Sequence, residues 1–147
     1  MVDKPPRQFD DVIMGGCGAF ALGSVAQLLA VFAPFALAPV LRGPGELWPT
    51  MALALGIALV AGTFFTWRAE VAGFTGSVAG LVPAGLFLWV RLRDATELLP
   101  IEGYQPADLP SFWVWALPTA YGCSLGLAWY LVLQLRLRAE KGRRPPG

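Results

Sequence analysis

Histidine is absent from the 147 residues of this chain. That single absence removes bis-histidine haem ligation, the common zinc constellations and every acid–base mechanism that needs an imidazole titrating near neutral pH. Cysteine is almost as scarce. Cys17 and Cys123 each sit inside an apolar run with no CxxC pair, so neither a disulfide framework nor a reactive thiol is indicated, and both read as inert packing residues. Charged residues make up 14% of the chain, against about 25% in an ordinary soluble domain. The net charge of +1 provides no field for nucleic acid, which is therefore not an expected partner. No Walker-type lysine, nucleophile elbow or metal-ligand cluster is present, so no catalytic, cofactor-binding or metal-binding residue is nominated and no enzyme activity is expected.

What the chain has in quantity is apolar side chain, 56% of its residues. A chain of this length cannot hide so much apolar surface by folding on itself, because its surface is large relative to its volume. Lipid is the solvent that remains. Four uncharged runs, about 12–35, 47–67, 71–90 and 111–135, each approach the roughly 20 residues that cross a hydrocarbon layer about 30 Å thick. The expected fold is all-α: a single integral-membrane four-helix bundle over 1–147. A cleaved signal peptide is the rival reading of the first run, with Lys4 and Arg7 as its charged end and "ALA" at 36–38 as its cleavage site. The run is far longer than the roughly 7–15 apolar residues of a signal peptide, and Asp10 and Asp11 flank it, so a retained helix is expected.

The connections are short. "RGPGE" (42–46) is a turn, "WRAE" (67–70) is a minimal hairpin that sets the second and third helices side by side, and 91–110 is the one sizeable loop. The loop acids Asp94, Glu97, Glu102 and Asp108 match no EF-hand spacing and read as a solvated loop. A polar tail follows from 136 to 147. Lysine and arginine divide unevenly across this layout. Lys4, Arg7, Arg68, Arg136, Arg138, Lys141, Arg143 and Arg144 fall on one side, and Arg42, Arg91 and Arg93 on the other. The excess marks the cytoplasmic face, so both termini are expected inside, in a bacterial-type inner membrane. Tryptophan gives the same layout: Trp48, Trp89, Trp113 and Trp115 at the outer boundary, Trp67 at the inner one and Trp129 in the inner half of the fourth helix.

The stretch "VAGFTGSVAGLVPAGLF" (71–87) would be loop in water, since each interior glycine costs a helix about 1 kcal/mol and proline about 3. In hydrocarbon, unpaired backbone groups are so costly that the helix is enforced, and glycine becomes a surface against which a second helix can approach closely. Residues four apart share a face. Ala72, Gly76, Gly80 and Ala84 form such a face on the third helix, and Gly122 and Gly126, continuing to Tyr130 and Gln134, form one on the fourth. Ala54, Ala58 and Gly62 form one on the second, and Gly15, Ala19 and Gly23, ending on Gln27, form one on the first. The helix-packing residues expected from this pattern include Gly76, Gly80, Gly122 and Gly126. Pro34, Pro83 and Pro118 are candidate kinks.

No ionisable residue lies inside the four runs, which argues against a proton-coupled exporter. Gln27 is the polar residue that demands a partner. Counted from the cytoplasmic side it lies about 22 Å up its helix, and Thr119 lies about 12 Å down the fourth, so the two share a depth within the span. An interhelical bond from Gln27 to Thr119 or Tyr121 is expected. Arg136, Arg138, Lys141, Arg143 and Arg144 are placed to meet anionic lipid headgroups. Packing grooves without a charge-bearing or catalytic site suggest a non-catalytic accessory or structural subunit, held in the bilayer against a larger membrane protein. The alternative is a small homo-oligomeric channel or transporter for a neutral or weakly charged solute, with Gln27, Tyr121 and the hydroxyls along its path.

Overall fold

The structure is a computed structural model, which describes residues 15–42, 47–96 and 111–143. These form three helices, α1 (Gly16–Arg42), α2 (Leu47–Thr96) and α3 (Ser111–Arg143), with no strand among the described residues. Each carries a stretch long and apolar enough to cross a membrane: Gly16–Leu37, Trp48–Arg93 and Phe112–Arg143. Only 33% of the apolar stretch in α1 and α2, and 22% in α3, is buried inside the protein. The remainder points outward and is built of leucine, valine and phenylalanine, which need lipid rather than water against them.

The sequence reading has four helices where the structure has three. Residues Leu47–Thr96 form one 50-residue element, where two helices joined by a hairpin at 67–70 were expected. That element is broken internally: Ala69 (φ −121°, ψ 15°) and Glu70 (φ 50°, ψ −123°) leave helical geometry. A Cβ added to Gly73 would fall on the carbonyl of Phe65. Residues eight apart in a straight helix are about 12 Å apart, so α2 doubles back at this break into two arms. The reversal takes so few residues that helical turns on either side meet across it.

Glu70 occupies a conformation near the first central position of a type II′ turn, which favours glycine because a Cβ is crowded there. The positive φ persists because both arms are held in place, and the Glu70 carboxylate lies 3.5 Å from Arg136 of α3. Two substitutions separate these effects. Glu70→Gly relieves backbone strain of about 1 kcal/mol or more while losing a half-exposed ion pair worth about 0–1 kcal/mol, so its stability should match wild type. Glu70→Ala loses the pair and keeps the strain. Unfolding in detergent should place it below the glycine variant, and equal stability of the two would contradict the strain.

The helices also end later than the sequence suggests. α1 reaches Arg42 rather than 35, α2 reaches Thr96 rather than 90, and α3 reaches Arg143 rather than 135. For α3 the reason is local. "RLRAEK" is rich in strong helix formers, and Arg136 pairs with Glu140 one turn on at 3.1 Å. Residues 136–143 are therefore helix rather than an irregular tail. Arg144, Lys4, Arg7 and the 97–110 segment lie outside the described residues.

α1 and α3 each pack on α2, and no Cα of α1 approaches one of α3 within 8 Å among the described residues. α2 is thus the centre of the molecule, with a neighbour on either side. The core runs along both seams and includes Val31, Phe35, Ala54, Ala58, Ala84, Leu88, Leu92, Leu125 and Trp129. The contacts of Ser24 with Gly76 and of Arg136 with Glu70 bring the start of α1, the break of α2 and the end of α3 to one end of the bundle.

Candidate functional site

The seam between α1 and α2 is built from small residues meeting backbone to backbone. A Cβ on Gly76 would strike the carbonyl oxygen of Phe20 and lie 2.7 Å from its Cα. On Gly80 it would lie 2.5 Å from the Ser24 oxygen and 2.8 Å from the Gln27 Cβ. Gly23 returns the fit from α1, facing Gly73, Gly76 and Ser77 of α2. Its buried stripe (Ala19, Gly23, Gln27, Ala30, Val31, Pro34, Phe35) recurs at three- and four-residue spacing, so one face of α1 enters the cleft between the arms.

Polar side chains stitch the same seam. Ser24 Oγ lies 2.9 Å from the Phe20 carbonyl of its own helix and 2.9 Å from that of Gly76 across the interface. Gln27 is fully buried and donates from Nε2 to the Ala58 carbonyl at 3.2 Å, while its Oε1 has no partner in the protein. The bond expected from Gln27 to α3 is replaced by this one. Thr119 is exposed and donates to the Trp115 carbonyl of its own helix at 2.8 Å. Gln27 and Thr119 share a depth but not a neighbour, because α2 stands between α1 and α3. Gln27→Leu and Ser24→Ala should therefore each cost about 0.6 kcal/mol, the usual worth of such bonds in membranes. Gln27→Leu combined with Thr119→Val should be additive in a double-mutant cycle, and coupling above about 0.5 kcal/mol would contradict this arrangement.

The seam between α2 and α3 uses a different device. Trp129 is fully buried, and a Cβ on Gly62 would fall within its indole ring. One large side chain fills the recess that the glycine leaves. The buried face of α3 is Val114, Tyr121, Leu125, Trp129 and Leu133, rotated one residue from the face of Gly122 and Gly126. Nothing lies within 4 Å of a Cβ built on either of those glycines, so the structure places open space over them. Sequence reasoning singled out Trp129 only by depth. The signal that would have found its partner is the pairing of a large aromatic with a glycine at the same level of the parallel arm.

At the end that holds the α2 break, Arg136 gathers the acids. It reaches Glu70 and Glu140, and its guanidinium lies 5.9 Å over the Trp67 ring. Arg68, Arg138, Lys141 and Arg143 remain exposed around it. The opposite end is aromatic, with Trp89 and Trp115 at 5.2 Å and Arg93 5.8 Å from the Trp89 ring. Cys17 and Cys123 are free and exposed. Among the described residues, no three His, Cys, Asp or Glu side chains approach one another as a metal site.

The grooves follow the outside of the bundle. One between α2 and α3 is lined by Trp48, Met51, Leu55, Leu117, Tyr121 and Ser124, and another by Leu81, Gly85, Trp89, Trp115, Pro118 and Thr119. Their walls are predominantly apolar. No protein family, curated protein or solved structure matches this chain. The arrangement itself is what bears on function: close-packed seams, Ser24 and Gln27 bonded across the α1–α2 seam, and apolar surface turned outward.

Proposed function

We propose that this chain is a non-catalytic accessory or structural subunit of a larger membrane protein complex, crossing a bacterial-type inner membrane. The observation that carries the reading is the state of Gln27. Its amide is fully buried and donates to the Ala58 carbonyl, which favours a stitch between helices over the lining of a path. A small protein whose helices are tied by Ser24 and Gln27 and whose outward surface is apolar is suited to lateral contact inside the bilayer.

In this proposal each arm of α2 is a separate span, giving four crossings with both termini in the cytoplasm. Two observations support it. An unbroken helix of 50 residues would extend about 75 Å, far beyond a hydrocarbon layer of about 30 Å. The end that collects Arg68, Arg136, Arg138, Lys141 and Arg143 has the greater basic charge, as the cytoplasmic side does in most membrane proteins.

Two measurements test the proposal. Single cysteines at position 144 and in the 98–106 segment, in a background without Cys17 and Cys123, should be labelled from opposite sides of the membrane. An impermeant reagent that labels position 144 on intact cells and spares 98–106 would reverse the orientation. Purification in mild detergent should recover the chain with a larger membrane partner in fixed ratio, and tagging that partner should recover this chain. Isolation as a discrete homo-oligomer would favour transport instead.

A further inference from the structure

The outer face of the first α2 arm presents an open strip of Leu59, Val60, Thr63, Phe64, Trp67 and Arg68. It is made of two adjacent rows at helical spacing, and it ends on a cation. Val60, Phe64 and Trp67 are 70%, 58% and 51% exposed, so the protein itself leaves this face uncovered. The upper part is suited to hydrocarbon. Its lower end offers a guanidinium and an indole at the level of the chain reversal.

The charges at that end are not evenly spent. Glu70 and Glu140 both bond Arg136, which also lies over Trp67. Arg68, two residues from Glu70, is exposed and has no carboxylate partner among the described residues. A cation at the foot of an apolar strip fits an anion that carries its own hydrocarbon. Arginine suits a phosphate through paired N–H donors, and its stem can lie along apolar surface while the head stays in the polar zone. We propose that this strip, with Arg68 at its foot, binds one anionic phospholipid of the surrounding bilayer. Its phosphate pairs with Arg68, and an acyl chain lies along Leu59, Val60, Thr63 and Phe64. This site is separate from the basic residues of α3 and rests only on the membrane-spanning character of the chain, not on its role in a complex.

The test uses the full chain, delipidated in mild detergent and then given phosphatidylglycerol or phosphatidylcholine with identical acyl chains. Native mass spectrometry counts the lipid retained. Wild type should hold one phosphatidylglycerol in preference to phosphatidylcholine by about fivefold, the equilibrium equivalent of one cation beside an anionic headgroup. Arg68→Gln should abolish the preference, Arg68→Lys should keep part of it, and Val60→Trp should lower retention of both lipids by standing in the path of the acyl chain. Arg91→Gln, at the opposite end of the bundle over the Phe87 ring, should change nothing. Thermal melts confirm that each variant is folded, and the arginine variants carry the test if the tryptophan variant is not. An unchanged preference in Arg68→Gln, or an equal loss in Arg91→Gln, overturns the proposal. So does competition by inorganic phosphate at equal phosphorus concentration, which would show an anion site without need of a chain. A detergent-stable dimer that buries Phe64 would assign the face to a second copy instead.

Discussion

Gly80→Ala is expected to destabilise the protein by about 1–3 kcal/mol, although it adds a single methyl group and raises helix propensity. The methyl would sit 2.5 Å from the Ser24 carbonyl oxygen and 2.9 Å from its Cα. Those atoms belong to the backbone of α1 and cannot turn aside as a side chain would, so the helices must separate and lose the contacts along the whole seam. Gly76→Ala meets Phe20 in the same way, and leucine at either position should abolish the α1–α2 packing. Gly122→Ala and Gly85→Ala supply the contrast, since nothing lies within 4 Å of a Cβ at either site. Those variants should unfold in detergent at wild-type conditions or slightly beyond them. Equal loss at Gly80 and Gly122 would mean that glycine matters here for backbone freedom and not for approach.

Trp129→Ala should be the most damaging single truncation, at about 3–5 kcal/mol, because it empties the largest fully buried side chain on the α2–α3 seam. Gly62→Ala attacks the same contact from the other side, pushing a methyl group into the indole. The two faces of one contact should not act independently. In Gly62→Ala with Trp129→Phe, the smaller ring yields the space that the methyl takes, so the double variant should lose less than the sum of the singles. An unfolding series that finds the two additive would show that Trp129 does not rest on Gly62.

These two seams differ in how far they can be read from the sequence, and the reason is physical. Small residues at four-residue spacing on one face admit few other uses in lipid. That spacing marks small faces at Gly23 on α1 and at Gly76 and Gly80 on α2, and the structure sets Gly23 against Gly73, Gly76 and Ser77, and Gly80 against Ser24 and Gln27. α3 is apolar nearly all round, so periodicity does not select a face. Its packing is decided by where a knob as large as Trp129 finds a recess. The sequence pattern names Gly122 and Gly126, whereas the recess is Gly62 on another helix. Gln27 teaches a related lesson. Rise per residue gives the depth of a side chain, but depth is silent about which helix stands beside it, and Ala58 rather than Thr119 is the partner. The chain reversal is legible too, since the hairpin read at "WRAE" (67–70) is where Ala69 and Glu70 leave helical geometry. What the sequence does not show is that so few residues leave it that the helical stretches on both sides join into one element.

The arrangement of both outer helices on α2 also imposes an order in time. α1 leaves the ribosome first, yet its acceptor, the Ala58 carbonyl, lies 31 residues further along. At synthesis rates of about 5–20 residues per second, Gln27 waits roughly 2–6 s before that carbonyl exists. The cleft that α1 occupies is completed only when the second arm has followed and the hairpin has closed. During that interval the Gln27 amide has no Ala58 carbonyl to bond, so the α1–α2 seam closes only after α2 has been made. α3 has no such delay. By the time Trp129 emerges, the Gly62 recess has already been made, and the last helix docks onto a finished surface.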